Sequence, residues 1–195
     1  REWGDNVDDW SSHNSPSRVA RNWGEQPMRV QAQHYACPYY PVTSYDVLHK
    51  QSPQHVGGCL WHSFDHQRGY HPDPFYGGLM DVFRQPKYSY YMFMAQRPAV
   101  KNDRNAGSGP MVYIAHEMTP FSGKDVTVYS NCDEVRLTFN KGGKTYTYKK
   151  DKNRPGMPSP VITFPDVYDF MVDKAFSRTQ KQDDVYLLAE GLSYT

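Results

Sequence analysis

His62, Asp65, His66 and His71 crowd into the stretch GGCLWHSFDHQRGYHPDPFYGG, residues 57–78. Imidazoles and a carboxylate at close spacing can ligate a metal, move protons or hydrogen-bond a hydroxyl-rich ligand. The spacing His-x2-Asp-His-x4-His matches no compact zinc pattern, so no metal is expected there. Asp5, Asp8 and Asp9 lack the Gly and Glu of a calcium loop and read as a solvated acidic loop. Two glutamates stand beside aromatic residues. Glu25 in WGEQPM suits the first turn of a helix, where the dipole favours a negative charge. Glu2 in REWGD, taken from the residues alone, reads as a terminal side chain. No cofactor is implied.

Elements of two kinds must position these groups. From Pro16 to about Tyr35, apolar residues at Val19, Trp23, Val30 and Tyr35 predict helix, broken by Pro27, which a second helix tolerates in its first turn. A short helix is expected around TSYDVLHKQ, capped by Thr43 or Ser44. HVGGCLW is a short apolar run that suits a strand buried on both faces. KYSYYMFMAQR then predicts a helix with Tyr88, Tyr91 and Met92 on one side. Such alternation is that of a β/α fold, whose ligands sit at the C-terminal ends of the strands. The histidine-rich stretch follows a strand end of that kind.

RPAVKNDRNAGSGPM, residues 97–111, is rich in Pro, Gly, Asn and charge and predicts a linker. Beyond it, MVYIAHEM, KDVTVYSN, EVRLTFN, KTYTYKK, PVITF and DVYLLAEG alternate over short lengths as strands do. Asn140-Lys141-Gly142-Gly143-Lys144 is a hairpin turn signal. Strands at this spacing predict a small antiparallel sandwich of immunoglobulin type. The lysines of its hairpin (Lys141, Lys144, Lys149, Lys150, Lys152) are expected to be a solvated edge. The expected division is therefore 1–97, a linker at 98–109, and 110–195.

Composition narrows the function classes. The 195 residues carry a net charge of +1, which gives no electrostatic footprint for nucleic acid or an anionic membrane surface. No apolar run is long enough for a membrane span, and neither partner is expected. Three widely spaced cysteines, Cys37, Cys59 and Cys132, form neither a disulfide framework nor a CxxC site. Aromatic residues make up 15% of the chain, with 16 Tyr, and suit a surface that stacks on sugar-like ligands as well as they suit interfaces and cores. The chain opens and closes inside apparent structure, which suggests part of a longer polypeptide.

REWGDNVDDW, then GGCLWHSFDHQRG and GGLMDVFRQPKYSYYMF, in that order, resemble the end of the catalytic barrel in glycoside hydrolase family 2, the β-galactosidase family. VTVYSNCDEVRLTFN is similar to the immunoglobulin-like domain that follows that barrel. The resemblance covers nearly the whole chain. It implies the C-terminal portion of a (β/α)8 TIM barrel over residues 1–97, followed by an immunoglobulin-like β-sandwich over residues 110–195. It also implies a retaining glycoside hydrolase, β-galactosidase-like, acting on a carbohydrate substrate, with Glu2 as the nucleophile.

In that reading Trp61 forms the floor under the apolar face of the sugar. His62, Asp65 and His66 hydrogen-bond hydroxyls or shape the entrance. Trp61 equally suits a core aromatic that closes the barrel, and Asp65 and His71 suit loop-fixing roles. The general acid and the remaining barrel strands would come from sequence elsewhere in the same chain or from a partner chain. A periplasmic or extracellular setting is what the resemblance favours. A non-catalytic carbohydrate-binding or interaction module would use the same aromatic residues without an acid/base pair.

Overall fold

Alternating apolar and polar residues between 112 and 192 build six strands, all antiparallel: β1 (Val112–Ala115), β2 (Val126–Ser130), β3 (Glu134–Phe139), β4 (Thr145–Lys149), β5 (Ile162–Phe164) and β6 (Leu187–Leu192). Among the described residues three α-helices accompany them: α1 (Glu25–Ala36), α2 (Tyr88–Met94) and α3 (Phe170–Ser177). This computed structural model describes residues 25–36, 54, 63–67, 69, 75–102, 104, 107–153 and 157–194. The chain divides into two compact units, Arg1–Phe93 with Pro155–Met157, and Met94–Arg154 with Pro158–Thr195.

In the first unit, α1 starts at Glu25 and carries Pro27 in its first turn, where the missing N–H breaks no helical bond. The earlier half of the expected helix, the helix around TSYDVLHKQ and the strand HVGGCLW all lie outside the described residues. α2 buries Tyr88, Ser89 and Met92, which share one side at spacings of one and three to four residues. The ring of Tyr35 in α1 meets that of Phe93 edge-on at 5.1 Å.

In the second unit the strands form two three-stranded sheets, ordered β1-β2-β5 and β4-β3-β6. Val126 and Val128 of β2, Ile162 and Phe164 of β5, and Val135 and Leu137 of β3 meet in one apolar core with Val167 and Tyr168. Each such side chain taken from water contributes about 1.5–3 kcal/mol. Their spacing of two puts the strand residues on the inner face of each strand, and Val167 and Tyr168 join them from the segment after β5. Register is set at the β3–β4 hairpin, where Thr138 faces Thr145. Asn140 and Gly142 take positive φ there, 60° and 73°. Gly143 serves differently, because a Cβ on it would lie 1.9 Å from the Phe139 carbonyl oxygen.

Asn140 also exchanges bonds with Tyr186, donating its N–H to the Tyr186 carbonyl (2.7 Å) and accepting the Tyr186 N–H on Oδ1 (2.9 Å). The hairpin lysines meet acidic partners: Lys141 lies 2.9 Å from Asp184 and Lys152 lies 3.1 Å from Asp133. Arg97, Gly109 and Met111 are tied to the β2–β3 corner by the amide of Asn131. It accepts the Met111 N–H at 2.9 Å and donates to the Arg97 and Gly109 carbonyls at 3.0 and 2.9 Å.

Helix α3 was not expected from the sequence. Its N-cap is Asp169, whose side chain accepts the N–H groups of Met171 and Val172 at 2.9 and 3.2 Å. Those two bonds hold the Asp169 carboxyl below the ordinary carboxylate range. Aspartate before a short apolar run was a readable capping signal. The run itself leaves Met171 and Val172 exposed, so it carries no clear buried face for a periodicity argument to find.

Asp133 and Glu134 give this unit a pH dependence. The Tyr194 N–H, then Lys152, hold Asp133 below the ordinary carboxylate range, and the Tyr194 hydroxyl, then Arg136, do the same for Glu134. A carboxyl lowered in the fold contributes stability that is complete above its unfolded pKa of about 4. That contribution disappears as pH falls through the lowered folded value. The melting temperature should therefore hold level from pH 7 to about 5 and decline below about 4. Tyr194→Phe, which removes the 2.8 Å bond to Glu134, should make the acid decline shallower in a thermal melt series. An acid limb identical to wild type would mean that the Tyr194–Glu134 bond does not form in solution.

Candidate functional site

The described part of the histidine-rich stretch is a small ladder. Segment 63–66 lies between two neighbours, bridging antiparallel to one (His66 to Phe75) and parallel to the other (Phe64 to Met80). His66 and Phe75 exchange N–H···O bonds of 3.1 and 2.9 Å. On the other edge the Asp65 N–H reaches the Met80 carbonyl at 2.9 Å and the Met80 N–H reaches the Ser63 carbonyl at 3.1 Å. Met80 in turn bridges to Pro86, and the Lys87 N–H donates to the Leu79 carbonyl at 2.9 Å. The turn between them is braced by Asp81, whose Oδ1 accepts the N–H groups of Phe83 and Gln85, each at 2.8 Å.

A buried polar network crosses this ladder. Asp65, 6% exposed, accepts the Gly78 N–H on Oδ1 at 2.9 Å. Lys87 Nζ donates to the same oxygen at 2.9 Å and stands 2.8 Å from Oδ2. The same ammonium donates to the Tyr76 carbonyl at 2.8 Å. Gly78 continues the chain through its carbonyl, which accepts from Gln31 Nε2 of α1 at 2.9 Å. Gln31 Oε1 accepts the Ser89 hydroxyl of α2 at 2.6 Å. Burial raises the Asp65 carboxyl above its ordinary range, while the Lys87 charge and the Gly78 N–H pull the other way.

Of the residues expected at the site, Asp65 and His66 are placed, and Glu2, Trp61 and His62 lie outside the described residues. Asp65 turns inward onto Lys87 and Gly78, so within the fold its oxygens are engaged. His66 is half-buried, with its ring 5.3 Å from that of Phe75 and Nδ1 3.4 Å from the Phe64 carbonyl oxygen. Sequence reasoning assigned no role to Gln31, Gly78, Lys87 or Ser89. The Lys in RQPKYSYY was the available signal: an ammonium set between a proline and an aromatic-rich helix that buries its first residues needs an acidic partner. Among the described residues no three His, Cys, Asp or Glu side chains group as metal ligands, and no helix is long and apolar enough to cross a membrane.

With this geometry in place, the proteins to which the chain is similar are the glycoside hydrolases of family 2. A curated β-galactosidase of Thermoanaerobacter pseudethanolicus is 27% identical over an alignment of 152 residues, covering 64% of this chain. The chain spans 19% of that relative's length. No family model matches the chain. Among solved structures, a β-glucuronidase from glycoside hydrolase family 2 covers 99% of this chain and 17% of its own at 20% identity, with a TM-score of 0.49. The apo form of Bacteroides uniformis β-glucuronidase 3 covers 76% of this chain and 18% of its own at 21% identity, with a TM-score of 0.45. Values this low leave the weight on the curated relative.

Proposed function

We propose that these residues belong to a retaining, β-galactosidase-like glycoside hydrolase that cleaves terminal β-glycosides. Residues 1–97 would supply the last part of a catalytic (β/α)8 barrel, and residues 110–195 an immunoglobulin-like domain behind it. The observation that carries this reading is the identity with a β-galactosidase, which agrees with the ordered motifs REWGD, GGCLWHSFDH and RQPKYSYY.

In the proposed mechanism the Glu2 carboxylate attacks the anomeric carbon and a second carboxylic acid protonates the leaving oxygen. The pair stands about 5–5.5 Å apart, and water then hydrolyses the glycosyl-enzyme. In this reading that second acid would come from barrel strands supplied elsewhere in the same chain or by a partner chain. Trp61 covers the apolar face of the sugar, where ring contact and exclusion of water favour binding. His62 and His66 reach hydroxyls, and Asp65 serves the same rim by holding the backbone that carries His66.

Aryl β-galactoside, β-glucoside and β-glucuronide offered to the complete protein test the reading. Turnover of the galactoside, with the β-anomer released first in a proton NMR time course, is the expected result. Release of the α-anomer would exclude a covalent nucleophile. Glycan binding without turnover of any substrate would favour a non-catalytic carbohydrate-binding module.

A further inference from the structure

We infer that Lys87 is a positioning residue for the sugar site: through Asp65 it locks segment 63–66 against segment 75–80 and so sets where His66 stands. The inference rests on the glycoside-hydrolase reading above and gives a role to a residue that touches no substrate. Successive side chains of an extended segment point to opposite faces. Asp65 faces inward, so Phe64 and His66 must face the other way, and the direction of His66 depends on the seat of Asp65.

That seat is built from three directions: the Lys87 ammonium at 2.8 Å from Oδ2, the Gly78 N–H at 2.9 Å, and the backbone bond from Asp65 N to Met80 O at 2.9 Å. A slip of one residue would point His66 inward and expose Asp65. A buried ion pair is poor evidence for stability, because apolar residues of similar volume commonly do as well. What a carboxylate and an ammonium add is discrimination between registers, since any other pairing leaves a charge without its partner. Lys87 extends that choice to Tyr76, whose carbonyl it also holds at 2.8 Å. Gln31 and Ser89 relay it to α1 and α2, through bonds of 2.9 and 2.6 Å.

Three variants of the complete enzyme separate positioning from bulk stability: Lys87→Met, Asp65→Asn, and the two combined. Each is assayed on an aryl β-galactoside at a temperature where circular dichroism shows it folded. Lys87→Met should lower the melting temperature and reduce kcat/KM at least tenfold, with KM rising more than kcat falls, because rim contacts hold substrate and transition state alike. The double variant removes the unpaired charge and should regain most of the melting temperature while keeping the raised KM.

A double variant with wild-type KM, or a folded Lys87→Met with wild-type KM, would reduce the pair to a stabilising contact and overturn the inference. Should Lys87→Met fail to fold, Asp65→Asn, which retains an acceptor for the Gly78 N–H, and the double variant decide by the same KM criterion. Absence of turnover by the wild type sinks the hydrolase reading and this inference together. Wild-type turnover with unchanged KM in the folded variants sinks this inference alone.

Discussion

Glu2→Gln in the complete protein is expected to abolish nearly all glycoside turnover while leaving the melting temperature unchanged. The amide has the shape of the carboxylate but neither its charge nor its nucleophilicity, so the covalent route through a glycosyl-enzyme closes. Each tenfold loss in rate corresponds to about 1.4 kcal/mol of barrier, and loss of a bond-forming group normally costs several times that. A fall of about a hundredfold or more in kcat is therefore expected. Glu2 lies outside the described residues, and its assignment rests on its place in REWGD and on the resemblance. Residual activity above about a tenth of wild type, in a variant with an unaltered thermal melt, would place the nucleophile elsewhere, since that loss is under about 1.4 kcal/mol.

Gly78→Ala should produce a large loss of stability. A Cβ at this position would lie 2.3 Å from the Asp65 nitrogen, 2.3 Å from the Phe64 carbonyl carbon and 2.7 Å from the Met80 carbonyl oxygen. All three are backbone atoms that hold the bridge between segments 63–66 and 79–80, so no side-chain rotation relieves the contact. Gly78 is required here by space.

The same displacement would pull its N–H from Asp65 and its carbonyl from Gln31, two bonds now at 2.9 Å each. Overpacking of a well-filled site typically costs 1–3 kcal/mol, and this one belongs at about 3 kcal/mol or above. A thermal melt and limited proteolysis of the complete protein read the effect. Cleavage near residues 63–80 should accelerate. A variant that melts with wild type and resists protease equally would show that the two segments are not in contact as described.

Much of the local structure was legible in the sequence, for reasons visible in single residues. Alternation in KDVTVYSN and EVRLTFN reports a strand with one face in the core, because Val126, Val128, Val135 and Leu137 recur every second residue. Asn140 and Gly142 report a turn because few other residues adopt positive φ at small cost. Pro27 reports the start of a helix because only the first turn tolerates a residue without an N–H. These are local signals, since each depends on the backbone within a few residues of itself.

The tertiary structure alone decided what those elements meet. Nothing local says that β2 pairs with β5, 36 residues from start to start (126 to 162), or that β3 lies between β4 and β6. Nor did the spacing of Asp65 and His66 show that Asp65 would turn toward an ammonium 22 residues later. Its partner is set by which buried group needs a counter-charge once the segments are packed. A carboxylate facing solvent and one facing an ammonium are the same letter in a sequence, and only the fold, by withdrawing water from one of them, makes them chemically different.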